Sequence, residues 1–296
     1  MSSYINKIRK RIFEEKYSIG FIYNDQINNK EFFRCINWVK LGNYKEGWFA
    51  DPFILSVSDQ VIEVLVEEYL YKTQLGRISL LTIDRNTFKL ISVDVVLQLS
   101  THLSFPNYYV ENDILYVYPE NYQSGGVTIY EYDAHNKQLV NGKRIINFPL
   151  VDTQIVKMDN TYYAFGVENT TCTSNDCKVL KIFKSDKLCG EYEYCGALEN
   201  SLCNERGAGM IFKDGKNYIR PAQCCEGDYG KYVIFYKMTF NKAEFVEENV
   251  FELKPIRNMY MGRGLHTFNQ LDNLTVIDGR ECRYKFAGLI KRLLKR

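Results

Sequence analysis

The 296-residue chain contains no run of about 18 or more apolar side chains, so the sequence offers nothing that would cross a bilayer as a helix. Its start lacks both the apolar stretch and the small-residue cleavage site of a secretory signal, and the expectation is a soluble, cytoplasmic protein. Long Ala/Leu/Glu/Lys segments are missing too, which argues against a helical architecture. The sequence holds no phosphate-cradling glycine loop, no dinucleotide fingerprint and no nucleophile elbow, so the usual nucleotide-binding and serine-hydrolase designs are excluded. None of the nine cysteines forms a C-x-x-C pair, although seven fall between Cys172 and Cys225. Without that spacing, reduced and buried thiols are expected rather than zinc ligands or disulfides. A net charge of +2 gives no general attraction for nucleic acid.

What the chain has in abundance is aromatic and β-branched side chains, with 23 Tyr and 18 Phe set in short runs with Val and Ile. Such residues fit a pleated, half-buried surface, which makes the class all-β. Five segments share one plan, an apolar strand, an Asp/Asn/Gly turn and an aromatic or aliphatic return strand. They run from Asp51 to Glu67, Phe105 to Glu120, Asp152 to Glu168, Gly207 to Gln223 and His266 to Asp278. Their starts are 54, 47, 55 and 59 residues apart, the length of a four-stranded propeller blade. A five-bladed β-propeller over 17–281 is therefore expected, with a β-sandwich as the alternative. Outside it lie basic amphipathic segments at 1–16 and 282–296, read as helices from the spacing of Ile5, Ile8 and Ile12 and of Phe286, Leu289, Ile290 and Leu293. The nine cations near these ends leave a body of about −7 and suit contact with the inner face of a membrane.

The innermost strands of a propeller line a central channel, and their starts open on one face. At those starts stand Trp48 and Asp51, His102 and Ser104, Asp152, Arg206, and His266. The ends of the return strands add Glu67 or Glu68, Glu120, Glu168, Gln223 and Asp278. Repeated charge around one axis points to a site, because an unpaired buried charge is costly. Neighbouring strand residues face opposite ways, and counting from Pro52 selects Glu67 over Glu68. Asp51 is read as a general base, nucleophile or hydroxyl acceptor, against the alternative of a turn Asp before proline. Asp152 is its expected partner, and Glu67 and His266 join the catalytic set. Trp48, His102, Ser104, Glu120, Arg206, Arg220, Gln223 and Asp278 are expected to bind substrate, the two arginines as clamps for phosphate or carboxylate or as partners of the channel acids.

The motifs Trp48–Phe53 (Trp-Phe-Ala-Asp-Pro-Phe), Val66–Tyr69, His102–Pro106, Tyr118–Glu120, Val151–Thr153, Arg206–Gly209, Tyr218–Gln223, His266–Asn269 and Val276–Gly279 carry a resemblance. In this order they resemble the N-terminal domain family of glucosamine inositolphosphorylceramide transferase and its bacterial stand-alone relatives. That domain is similar to the five-bladed glycoside hydrolases of the β-fructosidase and arabinanase type. The resemblance implies a base or nucleophile, a tuning Asp and an acid Glu on three blades, and it leaves open a divalent ion near the fifth-blade histidine. Asp51 matches the first acid, but Phe105 replaces the second-blade acid and Asp152 stands where the third-blade Glu would be sought. The expected function is glycosyl transfer on a sugar or lipid-linked sugar of cell-surface glycan assembly. The alternatives are a glycan-binding scaffold for a partner glycosyltransferase, and a hydrolase with rearranged acids. No cofactor beyond that ion is expected.

Overall fold

A computed structural model describes residues 13–27, 31–168, 179–199, 206–241 and 244–284. Among these residues twenty strands form five four-stranded antiparallel sheets, each a propeller blade. Blade I comprises β3 (Gly47–Val57), β4 (Val61–Leu70), β5 (Leu75–Asp84) and β6 (Leu90–Leu97). Blade II comprises β7 (Ser104–Glu111), β8 (Ile114–Glu120), β9 (Val127–Asp133) and β10 (Gln138–Ile146). Blade III holds β11 (Leu150–Met158), β12 (Thr161–Glu168), β13 (Val179–Ser185) and β14 (Glu193–Glu199). Blade IV holds β15 (Phe212–Asp214), β16 (Asn217–Cys224), β17 (Tyr232–Asn241) and β18 (Glu244–Leu253).

Blade V is assembled from both ends of the chain, in the order β19 (Phe268–Leu271), β20 (Leu274–Tyr284), β1 (Phe13–Tyr23) and β2 (Asn37–Trp38). The β1–β20 ladder runs unbroken from Phe13 opposite Tyr284 to Tyr23 opposite Leu274 and closes the ring. This ladder corrects the helical reading of the termini wherever they are described. Phe13 to Lys16 and Cys282 to Tyr284 are extended, because each strand finds its backbone partners in the other. The rest of the expected amphipathic segments lies outside the described residues.

Among the described residues apolar clusters fill all five blade interfaces. Ile19, Phe21 and Val276 of blade V pack on Phe49, Ile62 and Val64 of blade I. Phe53, Leu65 and Leu80 meet Phe105 and Val117 between blades I and II. Tyr118 and Ile129 meet Ile155, Tyr162 and Ala164 between II and III. Val156, Phe165 and Ile182 meet Met238 and Phe245 between III and IV. Ile219, Val233 and Phe235 meet Phe268, Ile277 and Ile22 between IV and V. Successive strand residues serve opposite interfaces, as Val64 and Leu65 do, so the inner strands read as nearly continuous apolar runs. Each fully buried Phe, Leu or Ile contributes about 1.5–3 kcal/mol. Among the described residues Cys35, Cys189, Cys195, Cys224, Cys225 and Cys282 are free thiols.

Candidate functional site

In three blades the innermost strand is interrupted by a bulge just after its start, between Ala50 and Phe53, Ser104 and Asn107, and Val151 and Gln154. Asp51, Phe105 and Asp152 occupy these bulges with φ of 48°, 44° and 49°. Non-glycine residues rarely take this left-handed conformation, and a bulky Phe takes it least readily. The bulge therefore belongs to the blade design, and the side chain it aims is free to differ. Two blades aim carboxylates, whereas Phe105 is fully buried against Phe53, with ring centroids 5.1 Å apart.

Around Asp51 the first half of the site is drawn together by blades I and V. Its Oδ1 accepts from Thr267 Oγ1 at 2.8 Å, and its Oδ2 accepts the Phe105 N–H at 3.1 Å. The Asp51 N–H donates to Asp278 Oδ2 at 3.1 Å, and the N–H groups of His266 and Thr267 donate to Asp278 Oδ1, both at 3.0 Å. His266 Nδ1 lies 2.5 Å from Asp278 Oδ2 and 3.8 Å from Asp51 Oδ1. Burial opposes the His266 charge, but the carboxylates of Asp278 and Asp51 outweigh it and raise its pKa. Burial likewise opposes ionisation of Asp278, and here the His266 charge and the backbone donors prevail and lower its pKa. Asp51 is pushed up to about 6, chiefly by burial, with His266 pulling the other way and Asp278 and Asp152 adding to the rise.

Blades II, III and IV build the second half. Asp152 Oδ2 accepts from Arg206 Nε at 2.6 Å and from Gln223 Nε2 at 3.0 Å. Arg206 Nη2 stands 3.8 Å from Glu120 Oε2, which also accepts from Ser104 Oγ at 3.3 Å. The Glu120 pKa lies well above the usual range because of burial and the neighbouring Asp152 charge. Between the halves sits Glu67, raised by burial and then by Asp51 and Glu120. Its Oε1 lies 3.3 Å from His102 Nε2. His102 Nδ1 accepts the Gly76 N–H at 2.9 Å, which places the ring proton on Nε2, facing Glu67. A Cβ at position 76 would lie 2.3 Å from the Leu103 carbonyl oxygen, so glycine alone allows this approach. Burial lowers the His102 pKa, in accord with a neutral ring.

An arc of aromatic rings borders the cluster. Tyr69 stacks on Trp48 at 4.6 Å, Trp48 meets Tyr17 at 4.9 Å, Tyr17 stacks on His266 at 4.8 Å, and Tyr229 meets His266 edge-on at 5.5 Å. The Arg206 guanidinium covers Tyr229 at 5.0 Å.

The structure thus brings together Asp51, Glu67, Glu120, Asp152, Arg206, Gln223, His266 and Asp278, with Ser104, His102 and Trp48 against them. It does not bring Arg220. That side chain is 1% exposed and makes a bidentate pair with Glu247 of β18, Nε to Oε1 at 2.5 Å and Nη2 to Oε2 at 2.8 Å. Arg206 is held by Asp152 rather than left open for phosphate. Glu68 points away to Arg77, Ser79 and Tyr44, and Glu168 pairs with Lys181 at 3.2 Å. Thr267, Tyr17 and Tyr229 escaped the sequence reading. Thr267 was legible as the neighbour of His266, and Tyr229 stands in a turn between Asp228 and Gly230. Tyr17 gave no signal, because its strand had no visible partner.

Asp51, His266 and Asp278 offer three donor atoms within 4.8 Å of one another, the set in which a channel ion would be sought. An ion there would have to part these groups from one another. The His266 nitrogen is in direct contact with Asp278, and both Asp51 oxygens already accept hydrogen bonds.

Fold and site together define a five-bladed propeller with a buried carboxyl cluster where its inner strands begin. A GH43 β-1,3-galactosidase structure superimposes with a TM-score of 0.57 at 13% identity, covering 73% of this chain and 51% of that one, so the fold is shared. Residues 29–278 match the family described as glucosamine inositolphosphorylceramide transferase 1, N-terminal, and the chain belongs to that family. Glucosamine inositolphosphorylceramide transferase 1 of Oryza sativa subsp. japonica is 25% identical over 237 residues, covering 76% of this chain and 31% of that protein. The Arabidopsis thaliana protein of the same name is 28% identical over 249 residues, covering 79% and 32%. The chain therefore spans about a third of the length of these curated relatives.

Proposed function

We propose that the channel mouth binds a glycan and that its carboxyl cluster carries glycosyl transfer. The observation that supports this most is Asp51, a buried carboxyl pushed up to about 6, beside two acids, Glu67 and Glu120, that burial raises well above the ordinary carboxylate range. Glycosidic chemistry needs a base or nucleophile and a proton donor facing one bond, and groups with divided pKa values supply both. The cations present, Arg206 and His266, are each engaged by a carboxylate, so the cluster suits a neutral sugar better than a phosphate. The aromatic arc would take the apolar face of a pyranose. A sugar or lipid-linked glycan is the substrate class, and the cations at 7–11 and 285–296 support a place at the inner face of a membrane.

A second reading, a glycan-binding module serving a separate transferase, draws on the length of the curated relatives, about two thirds of which lies beyond this chain's match. Calorimetric titration and turnover assays with neutral oligosaccharides and lipid-linked sugars separate the two. Binding and turnover, with Asp51→Asn abolishing only the turnover, support the enzyme. Binding without turnover leaves the module, and binding of neither class of sugar overturns both readings.

A further inference from the structure

We propose that Glu120, rather than Asp152, is the proton donor of the channel, and that Asp152, Arg206 and Gln223 position it. The inference rests on the glycosyl-transfer reading of the same site. Its geometric basis is a count of donors. Glu120 and Asp152 are both buried and converge on the single Arg206 guanidinium, whose one charge cannot balance two carboxylates, so the pair holds one proton. Asp152 Oδ2 receives N–H groups from Arg206 and Gln223, so of the two carboxyls Asp152 is the one whose negative charge the surroundings hold. The proton therefore belongs to Glu120.

Burial raises the Glu67 pKa as well, yet Glu67 is a poorer donor. On losing its proton, it would face the neutral His102 N–H rather than a guanidinium among its ion-pair partners in the described residues. Glu120 would instead find Arg206 Nη2 at 3.8 Å and the Ser104 hydroxyl at 3.3 Å. Arg206 already holds Asp152 through Nε, so the guanidinium can serve both carboxylates at the moment the second one appears. The exchange balances. The bond from the sugar's anomeric carbon to the leaving oxygen breaks, its electron pair stays on that oxygen, and the Glu120 proton follows. A hydroxyl of the acceptor, or water, forms the new bond to the anomeric carbon and gives its proton to ionised Asp51. The Asp51 proton returns to solvent and Glu120 is reprotonated.

The test has two arms on the full chain. Isotope-edited infrared difference spectra of wild type against Glu120→Gln at pH 7 should show a protonated-carboxyl band that the variant lacks, and Asp152→Asn should shift Glu120 towards ionisation. An ionised Glu120 in the wild type overturns the proposal and leaves the glycosyl-transfer reading intact. The second arm follows aryl glycosides with leaving groups of graded acidity. Glu120→Gln should lose about 10²–10⁴-fold on poor leaving groups and under about tenfold on good ones. The alkaline limb of the wild-type pH profile, set by Glu120 among Asp152, Arg206, Asp51 and Glu67, should vanish with it. An equal loss on every leaving group, with the limb retained, assigns Glu120 a structural role. No turnover of any glycoside by wild type fails the underlying reading, and this assignment falls with it whatever the spectra show.

Discussion

The two halves of the channel mouth solve one problem with different cations. In one, Asp278 pairs with His266; in the other, Asp152 pairs with Arg206. Arginine keeps its charge at any pH a protein survives, whereas a histidine pair dissolves when the ring loses its proton. The Arg206 half is thus a fixed electrostatic frame, and the His266 half can be switched off by base. Asp51, whose carboxyl is pushed up to about 6, belongs to the switchable half. A cluster with arginine on both sides would be steadier, but it would hold Asp51 permanently ionised.

The largest effect should come from breaking the fixed half. Arg206→Met strands the buried Asp152 and crowds it against Glu120, and leaving a buried charge unpaired costs about 3–5 kcal/mol. Urea denaturation at pH 7 measures this. Arg220→Met is the control, since it strands Glu247 at the blade III–IV interface and should cost a similar amount without touching ligand affinity. A loss of glycan binding in Arg220→Met would place that residue in the site after all.

His266→Gln should cost less, about 1–3 kcal/mol, because Asp278 keeps three backbone N–H donors. Here the sign of the pH dependence distinguishes the halves. A folded-state pKa raised above the unfolded value near 6.5 means that His266 contributes its full stability below that value and loses it as pH climbs through the folded pKa. The gap between wild type and His266→Gln should therefore narrow with rising pH, whereas the gap for Arg206→Met should not. Parallel denaturation series from pH 6 to 9 check it, and equal slopes would erase the distinction between the two halves.

Much of the contrast was legible in the sequence, and the reasons for what was not are physical. The five hairpins stood out because each is local, with its turn residues and strand pattern inside one short segment. Strand alternation was enough to turn Glu67 inward and Glu68 away. Arg220 was misplaced because both faces of a propeller strand are buried, so periodicity cannot say whether a polar residue meets the channel or the next blade. The strand from Phe13 to Tyr23 was hidden for another reason. Its only full-length partner lies at the far end of the chain, and no local window holds both. Tyr17 and its stacking on His266 went unseen with it. Which acid of the Glu120–Asp152 pair keeps the proton depends on donor counts that spacing cannot supply.

The smallest effect sharpens the comparison most. Asp51 is pushed up to about 6 from the ordinary carboxylate range, so the folded protein binds a proton there more readily than the unfolded chain. A raised carboxyl penalises stability as pH rises from about 4 through about 6, and the penalty is fully present above that window. Asp51→Asn removes the charge while its amide oxygen can still accept from Phe105 or Thr267. The variant should gain about 1–3 kcal/mol at pH 7, worth a few degrees in Tm, and gain nothing at pH 4. Turnover should be lost across the whole range. Thermal melts at the two pH values decide this, and a destabilised Asp51→Asn at pH 7 would show that Asp51 is held by its partners as a structural acid. A stabilised but inactive variant would instead identify the carboxylate in the switchable half as the one the fold tolerates for its chemistry.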